Sequence, residues 1–228
     1  MNVSRRRFLT ASSAAAFGFT IVPRHVLGAP DQPPPSEKLN IGCVGIGGRG
    51  DALTYALAGL PNVNIAALCD VDETRAAKLV REFPGRPFYK DYRVLLEKEK
   101  GLDAISIATP DHTHAPIALM AMRRGQHVYC EKPLAHTIEE TRLMGQVAAE
   151  HKRVTQMGNW GHAGEGLRLT KEWLDAGVIG GGKEIHVWTD RPSILDGDPP
   201  FKVWTDNGKR RPTGTFPVPP TLDWNLWQ

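Results

Sequence analysis

A glycine-rich turn between a buried strand and a helix constrains the fold of this chain more than any other feature. The apolar run Leu39–Val44 has the length and composition of a buried strand. It leads directly into Gly45-Ile46-Gly47-Gly48-Arg49-Gly50, which matches the pattern G-x-G-x-x-G, and apolar residues at helical spacing follow. Strand, glycine triplet and helix in this order predict a Rossmann βαβ unit, whose turn binds the diphosphate of a dinucleotide.

The residues of this turn have separate physical roles in the prediction. Gly45 permits the tight turn, Gly47 lets the backbone approach the diphosphate, and Gly50 allows the helix to pack close to the strand. The phosphates then face free N–H groups at the positive end of the helix. We therefore expect the cofactor to be bound by Gly45, Gly47, Gly48, Arg49 and Gly50.

A second buried strand, Val63–Cys69, is followed by an acidic residue. Asp70 lies about 20 residues beyond the last glycine, where the fingerprint places the acid that binds the adenosine ribose. A carboxylate there accepts hydrogen bonds from both ribose hydroxyls and repels a 2′-phosphate, and no Arg or Lys follows before Arg75. The pattern therefore favours NAD over NADP. The alternative role, a simple helix cap, fits Asp72 better because it directly precedes the next helical run.

Strands and helices continue to alternate beyond this point. Strand-like runs at 102–108 and 127–130 end in two unusual loops, Thr109-Pro110-Asp111-His112-Thr113-His114 and Glu131-Lys132-Pro133. The alternation predicts an α/β fold with a parallel sheet, in which ligands bind at the carboxyl ends of the strands. Because both loops fall at such ends, we expect both to be functional.

These motifs together resemble the Gfo/Idh/MocA family of oxidoreductases, which includes glucose–fructose oxidoreductase and inositol dehydrogenase. The resemblance rests on the glycine turn, the 109–114 loop and the segment Cys130-Glu131-Lys132-Pro133-Leu134. Residues 156–162 and 222–227 are similar to exported bacterial members of the family. The similarity extends from Lys38 to the end of the chain.

The resemblance implies two domains. The Rossmann domain would span 38–155, and 156–228 would begin an α+β domain with a mostly antiparallel sheet, which serves substrate binding and oligomerisation. A helix at 166–176 and a strand at 184–189 fit that second domain. Family members are longer and usually carry an Asp-x-x-x-His segment that supplies the catalytic base, which this sequence lacks. We therefore expect a fragment with an incomplete active site.

The resemblance also implies the chemistry, a hydride transfer between nicotinamide and a secondary alcohol of a sugar, cyclitol or glycoside. Lys132 would be catalytic, donating a hydrogen bond to the substrate oxygen and relaying a proton. Pro133 would fix the turn, often after a cis peptide bond. Glu131 would contact the cofactor ribose or nicotinamide region. The alternative is that Glu131 and Lys132 form a solvated surface pair.

Further residues receive roles from the same resemblance. Thr109 and Pro110 would line the cofactor path through backbone groups. His114 is a candidate cofactor contact, and the alternative is a buried or capping histidine at a helix start. Asn159 would lie near the nicotinamide. His162 is the second catalytic candidate, with a structural role in its glycine-flanked loop as the alternative.

Other polar and aromatic residues are assigned less specific roles. His112 and His114 form a His-x-His pair without a third ligand at suitable spacing, so no metal site is expected. Three cysteines lie in apolar runs without zinc spacing, which predicts buried, reduced thiols. Tryptophans in the second half could stack on a sugar, although core or interface positions are the commoner use. They are Trp188, Trp204, Trp224 and Trp227.

The N-terminus resembles a twin-arginine (Tat) export signal. Ser4-Arg5-Arg6-Arg7-Phe8-Leu9-Thr10 is followed by a weakly apolar stretch at 11–22 and by small residues at 27–29. We predict a signal peptide at 1–29, an extended Pro-rich linker at 30–37, recognition by the Tat translocon and a periplasmic or otherwise exported location. The alternative is a disordered basic tail.

Charge and composition exclude one class of partner and leave three functions open. The net charge of +3 depends on the N-terminal arginines, so the mature chain is close to neutral and no nucleic-acid partner is expected. The functions are an NAD-dependent sugar or polyol dehydrogenase, a glycoside hydrolase or lyase that recycles NAD within each turnover, and a non-catalytic nucleotide-binding protein. The full-length form is expected to be a homo-oligomer.

Overall fold

The computed structural model describes residues 33–178, 180–182, 184–187, 215 and 217–228. The chain divides into two compact units, one comprising Met1–Gly158 with Asp223–Gln228 and the other Asn159–Leu222. The predicted signal peptide at 1–29 and the start of the linker lie outside the described residues, and Pro35–Glu37 forms a short 3-10 helix. In the part of the chain that is described, no helix is long and apolar enough to cross a membrane.

The first unit contains a parallel sheet of six strands in the order β3-β2-β1-β4-β5-β6. This is the strand order of the doubly wound Rossmann fold, and it confirms the predicted fold class. The strands are β1 Leu39–Val44, β2 Val63–Cys69, β3 Phe88–Tyr89, β4 Ala104–Ile107, β5 His127–Glu131 and β6 Thr155–Gly158. The helices are α1 Arg49–Ala58, α2 Glu73–Glu82, α3 Tyr92–Lys98, α4 Asp111–Arg123, α5 Ile138–Glu150, α6 Glu165–Asp175 and α7 Trp224–Trp227.

The central strands are apolar because helices cover both faces of the sheet. One cluster of buried side chains includes Ile105, Ile107 and Met122, and a second includes Leu68 and Leu79. A parallel sheet buried on both faces has near-continuous apolar strands, which is why the sequence pattern of these strands shows runs rather than alternation. The two clusters hold the sheet rigid, so the loops at its carboxyl edge have fixed positions.

Two helices that follow loops at the carboxyl edge begin with a side-chain cap. The side chain of Asp72 accepts hydrogen bonds from the N–H groups of Thr74 and Arg75, as its place before α2 predicted. Thr137 and Glu140 form a reciprocal capping box at the start of α5. Each cap stabilises its helix by about 1 kcal/mol.

The domain boundary differs from the sequence-based prediction in two respects. β6 pairs with β5 through Gly158, so the first unit extends past the boundary expected after residue 155. Asp223–Gln228 also belongs to the first unit rather than to the second domain. In both cases the cause is a contact with residues distant in sequence, which local patterns do not record.

Within its described residues, the second unit contains one of the two elements that the sequence predicted for it. The helix expected at 166–176 is present as α6, whereas residues 184–187 form no strand, and residues 188 and 189 lie outside the described residues. The mostly antiparallel sheet expected over 156–228 stays a prediction.

Candidate dinucleotide-binding site

The glycine turn follows β1 at the carboxyl edge of the sheet and is closely packed. Gly45 has a φ of 77°, and a Cβ there would lie 2.7 Å from backbone atoms of Ala108 and Thr109. A Cβ on Gly50 would lie 1.7 Å from the carbonyl oxygen of Gly45. Both positions therefore require glycine, Gly45 for the turn and Gly50 for the close approach of α1 to the strand.

The start of α1 leaves backbone donors without a side-chain acceptor. Gly48 occupies the N-cap position with a φ of 58°, and as a glycine it has no side chain that could cap the helix. A Cβ on Gly48 would meet no atom within 4 Å, so open space lies beside it. Free N–H groups and open space at the positive end of a helix suit a diphosphate.

Asp70 lies beside the same turn at the end of β2. Its Oδ2 accepts hydrogen bonds from the N–H groups of Ile46 at 2.9 Å and Gly47 at 3.0 Å, and its Oδ1 accepts one from Asp72 at 2.9 Å. Burial raises the pKa of Asp70 above its usual value, although these N–H donors act in the opposite direction. The carboxylate thus holds the glycine turn in place, a role that sequence analysis missed.

The loop after β4 contributes a buried hydroxyl. Among the residues that the structure describes, none hydrogen-bonds to the Oγ1 of Thr109, although that atom is buried. A buried hydroxyl without a partner is costly and therefore uncommon in proteins. Because the backbone N of Thr109 packs against Gly45, this hydroxyl belongs to the loop beside the glycine turn. A ligand there could supply the missing hydrogen bond, and this is the observation on which the fit of a dinucleotide rests. Pro110 follows at the N-cap of α4.

The loop after β5 is joined to the glycine turn by an ion pair. The Nε of Arg49 lies 2.9 Å from the Oε1 of Glu131, whose side chain is only 6% exposed. A solvated pair between Glu131 and Lys132 is therefore the wrong interpretation. A Cβ on Gly158 would lie 2.7 Å from the carboxyl carbon of Glu131, so glycine in β6 makes room for this side chain.

Lys132 follows directly and is exposed. Its backbone N–H donates a hydrogen bond to the carbonyl oxygen of Gly158 at 3.3 Å, and the peptide bond between Lys132 and Pro133 is cis. The expected cis bond is thus present. The hydrogen bond to Gly158 places the backbone of Lys132 at the carboxyl edge of the sheet, beside the end of β6.

His114 connects the loops after β4 and β5. Its ring is buried, with Nδ1 2.7 Å from the carbonyl oxygen of Pro133 and Nε2 2.8 Å from that of Thr109. A neutral imidazole donates to one of these oxygens at a time, and an imidazolium donates to both. Because both ring nitrogens contact backbone, the geometry favours a positioning role, and a direct cofactor contact stays a prediction.

Asn159 and His162 belong to the second unit. The carbonyl oxygen of Asn159 accepts a hydrogen bond from the N–H of His162 at 2.8 Å, in a turn that follows β6. Asn159 is half-buried and His162 is exposed. Their roles beside nicotinamide and substrate stay predictions.

The three cysteines are free and buried, as the sequence predicted. Burial raises the pKa of Cys43 to about 11 and that of Cys130 to about 12, and it also raises the pKa of Cys69. They act as small apolar side chains of the core. Across the described ranges, no three His, Cys, Asp or Glu side chains gather as metal ligands would.

Comparison with known families agrees with this geometry. The family model described as "Oxidoreductase family, NAD-binding Rossmann fold" matches residues 39–159, more than half of the chain. The match begins at β1 and ends one residue after β6, so it covers the glycine turn and the loops after β4 and β5.

Three curated relatives resemble part of this chain. A levoglucosan dehydrogenase of Pseudarthrobacter phenanthrenivorans is 31% identical over 63% of this chain and 39% of its own length. Inositol 2-dehydrogenase 1 of Saccharopolyspora erythraea is 31% identical over 65% of this chain and 44% of its own. Glycosyl hydrolase family 109 protein 2 of Shewanella sp. ANA-3 is 34% identical over 47% of this chain and 25% of its own.

A solved structure supports the same assignment. The scyllo-inositol dehydrogenase of Lactobacillus casei, determined with bound NAD(H) and scyllo-inositol, superimposes with a TM-score of 0.58 at 26% identity. The alignment covers 63% of this chain and 42% of that one. The chain thus spans less than half the length of the relatives that it matches.

Proposed function

This chain belongs to the Gfo/Idh/MocA oxidoreductase family with its NAD-binding Rossmann fold. We propose that it functions as an NAD-dependent dehydrogenase of a sugar, cyclitol or glycoside. The observation that carries the proposal is the ion pair between Arg49 and Glu131. It brings the Glu-Lys-Pro loop against the glycine turn, so that Lys132 lies at the edge of the sheet where a dinucleotide binds. The dehydrogenase relatives support a polyol substrate.

Different residues of the first unit are proposed to bind different parts of the NAD molecule. N–H groups at the start of α1 bind the diphosphate, with Gly45, Gly47, Gly48, Arg49 and Gly50 forming the turn around it. Asp70 binds the adenosine ribose. Thr109 offers its buried hydroxyl, and Pro110 lines the path beside it. When bound, NAD supplies the ring that accepts a hydride from the substrate.

The residues nearest the reaction hold the substrate alcohol. Lys132 donates a hydrogen bond to the oxygen that becomes a carbonyl and takes part in moving its proton. Glu131 and His114 hold the loop that carries Lys132, through Arg49 and through the carbonyl oxygen of Pro133. Asn159 and His162 are proposed to contact nicotinamide and substrate, with His162 as a second acid–base group.

A dehydrogenase assay with a matched lysine pair tests this proposal. The protein in its full-length form is incubated with NAD and with myo-inositol, scyllo-inositol, levoglucosan or glucose, and NADH is followed by its absorbance. We expect one of these polyols to be oxidised, and Lys132→Met to lower kcat by about a hundredfold or more. The exposed Lys100→Met is the control and should retain the rate. Equal rates for both variants would contradict the role of Lys132.

The second candidate is a glycoside hydrolase or lyase that recycles its NAD. Its support is the identity of 34% to the family 109 glycosyl hydrolase. Cleavage of p-nitrophenyl glycosides that requires bound NAD but accumulates no NADH would favour this function over the dehydrogenase. Bound nucleotide with neither reaction would favour a non-catalytic role.

We also propose that the chain is exported through the Tat translocon to the periplasm. The support is the Ser-Arg-Arg-Arg-Phe-Leu-Thr pattern at residues 4–10. Replacement of both Arg5 and Arg6 by lysine should leave the protein in the cytoplasmic fraction, whereas unchanged export would exclude this route. The homo-oligomer of the full-length form stays a prediction.

A further inference from the structure

Residues 223–227 pack between two loops at the carboxyl edge of the sheet. The N–H of Asp223 donates a hydrogen bond to the carbonyl oxygen of Val71 at 2.9 Å. At the other end, the carbonyl oxygen of Trp227 lies 2.5 Å from the Nε2 of His112. Val71 directly follows Asp70, and His112 belongs to the first turn of α4. The 223–227 segment therefore spans from the loop after β2 to the loop after β4.

The side chains of this segment form an aromatic cluster. The rings of Trp224 and Trp227 are stacked, with centroids 4.9 Å apart and an angle of 13° between planes. The ring of His112 lies 4.9 Å from that of Trp227 in an edge-on arrangement. Asp223 fixes the segment by accepting a hydrogen bond from the N–H of Leu226 at 3.2 Å. Trp224 nevertheless remains 43% exposed.

The location of the cluster relates it to one half of a dinucleotide. In a Rossmann fold the acid after β2 binds the adenosine ribose, and the diphosphate lies at the start of the first helix. The adenine therefore lies beyond Asp70, near the loops after β2 and β4. These are the two loops that the 223–227 segment joins. The Glu-Lys-Pro loop lies on the far side of β4, after β5, so the cluster is separated from the proposed substrate position.

We propose that the 223–227 segment forms one side of the adenosine pocket and that His112, Trp224 and Trp227 contact the adenine. This inference rests on the NAD binding of the proposed function and adds the group that holds the adenine end. Stacking on an aromatic ring tolerates any planar base and contributes substantially to its affinity. A partly exposed tryptophan pair beside the ribose acid offers such a surface.

Affinities for the two halves of the cofactor test this proposal. ADP-ribose and reduced nicotinamide mononucleotide are titrated separately against the wild type and Trp227→Leu. We expect the dissociation constant for ADP-ribose to rise by about tenfold or more, and that for the mononucleotide to stay unchanged. Trp173→Leu, at a 57% exposed position in α6, is the control and should bind both probes as the wild type does.

Tryptophan fluorescence provides a second readout that does not depend on the stability of a leucine variant. ADP-ribose should quench the emission of the wild type and of Trp173→Phe, whereas the double variant Trp224→Phe with Trp227→Phe should lose most of that quenching. Unchanged affinity and unchanged quenching would overturn the proposal, and so would tighter binding after Trp227→Leu, since the segment would then obstruct the site. A wild type that binds no NADH would instead contradict the cofactor assignment itself.

Discussion

The guanidinium of Arg49 and the carboxylate of Glu131 lie 2.9 Å apart, joining the first residue of α1 to the last residue of β5. The side chain of Arg49 is 42% exposed, whereas that of Glu131 is nearly enclosed. This ion pair therefore holds the glycine turn and the Glu-Lys-Pro loop together before any ligand binds. A site assembled before its ligand binds loses less entropy on binding.

Removing the arginine from this pair should destabilise the protein. Arg49→Met leaves the buried carboxylate of Glu131 without its cation, which costs several kcal/mol in a dry interior. Because water reaches Arg49, we expect a smaller loss, about 1–2 kcal/mol in the free energy of unfolding measured in urea.

A double-mutant cycle supplies the control for this prediction. Adding Glu131→Gln to Arg49→Met removes the unpaired charge and should recover part of the lost stability. If the losses in the free energy of unfolding caused by the two single substitutions simply add in the double variant, the ion pair contributes nothing to stability.

The buried ring of His114 should link stability to nucleotide affinity. His114→Phe keeps a buried ring but leaves the carbonyl oxygens of Thr109 and Pro133 without their partner. We expect the free energy of unfolding to fall by about 1–3 kcal/mol, together with weaker NADH binding because both loops shift. Lower stability with unchanged affinity would limit His114 to a structural role.

Asp70 should determine the choice between NAD and NADP. Asp70→Ser removes the carboxylate that repels a 2′-phosphate, and Arg75 lies close to the turn, its Cβ 2.8 Å from the place of a Cβ on Gly47. We expect the ratio of NADPH to NADH affinity to rise by about tenfold to a hundredfold. Asp72→Ser, which removes a neighbouring carboxylate but keeps a side chain able to cap α2, is the matched control. An unchanged ratio in Asp70→Ser would contradict the ribose assignment.

The cysteines should be inert in the folded protein. The thiolate is the reactive form, and a pKa raised by burial lowers its population at any given pH. At pH 8 we therefore expect no reaction of the native protein with Ellman's reagent, and full reaction of Cys43, Cys69 and Cys130 in urea. Rapid labelling of the native protein would show that one of these strands opens.

Much of the fold could be predicted from local sequence patterns. The alternation of apolar runs and amphipathic helices indicated the parallel sheet, and the place of Asp72 indicated the cap of α2. β3 was missed because Phe88–Tyr89 is too short to show a pattern, and its pairing with β2 is a tertiary contact. The strand expected at 184–189 is absent over the described residues 184–187, although these residues favour strands locally.

The candidate site was predictable to a lesser extent. Gly45, Gly50 and Asp70 follow from a motif with fixed spacing, and the structure brings them together. The pairing of Arg49 with Glu131 left no local signal, because 82 residues separate them. The packing of the 223–227 segment beside Asp70 was missed for the same reason. Contacts of this kind depend on strand order, which spacing alone does not determine.

The function proposed for this protein depends on the turn after β1 binding the diphosphate of NAD. Gly48 and Gly85 offer a matched pair, since both have a positive φ and neither would place a Cβ within 4 Å of another atom. Gly48 lies in the proposed site, whereas Gly85 lies between α2 and β3 at the opposite edge of the sheet. Because both have a positive φ, alanine should strain the backbone at each position, and Gly85→Ala controls for an effect of strain alone.

Calorimetric titration with NADH therefore tests the claim most directly. We expect the wild type and Gly85→Ala to bind one NADH per chain with similar affinity. Gly48→Ala should bind it at least about tenfold more weakly, because the added methyl group occupies the space of the diphosphate. Wild-type protein that binds neither NAD(H) nor NADP(H), or equal affinities for the two alanine variants, would contradict it.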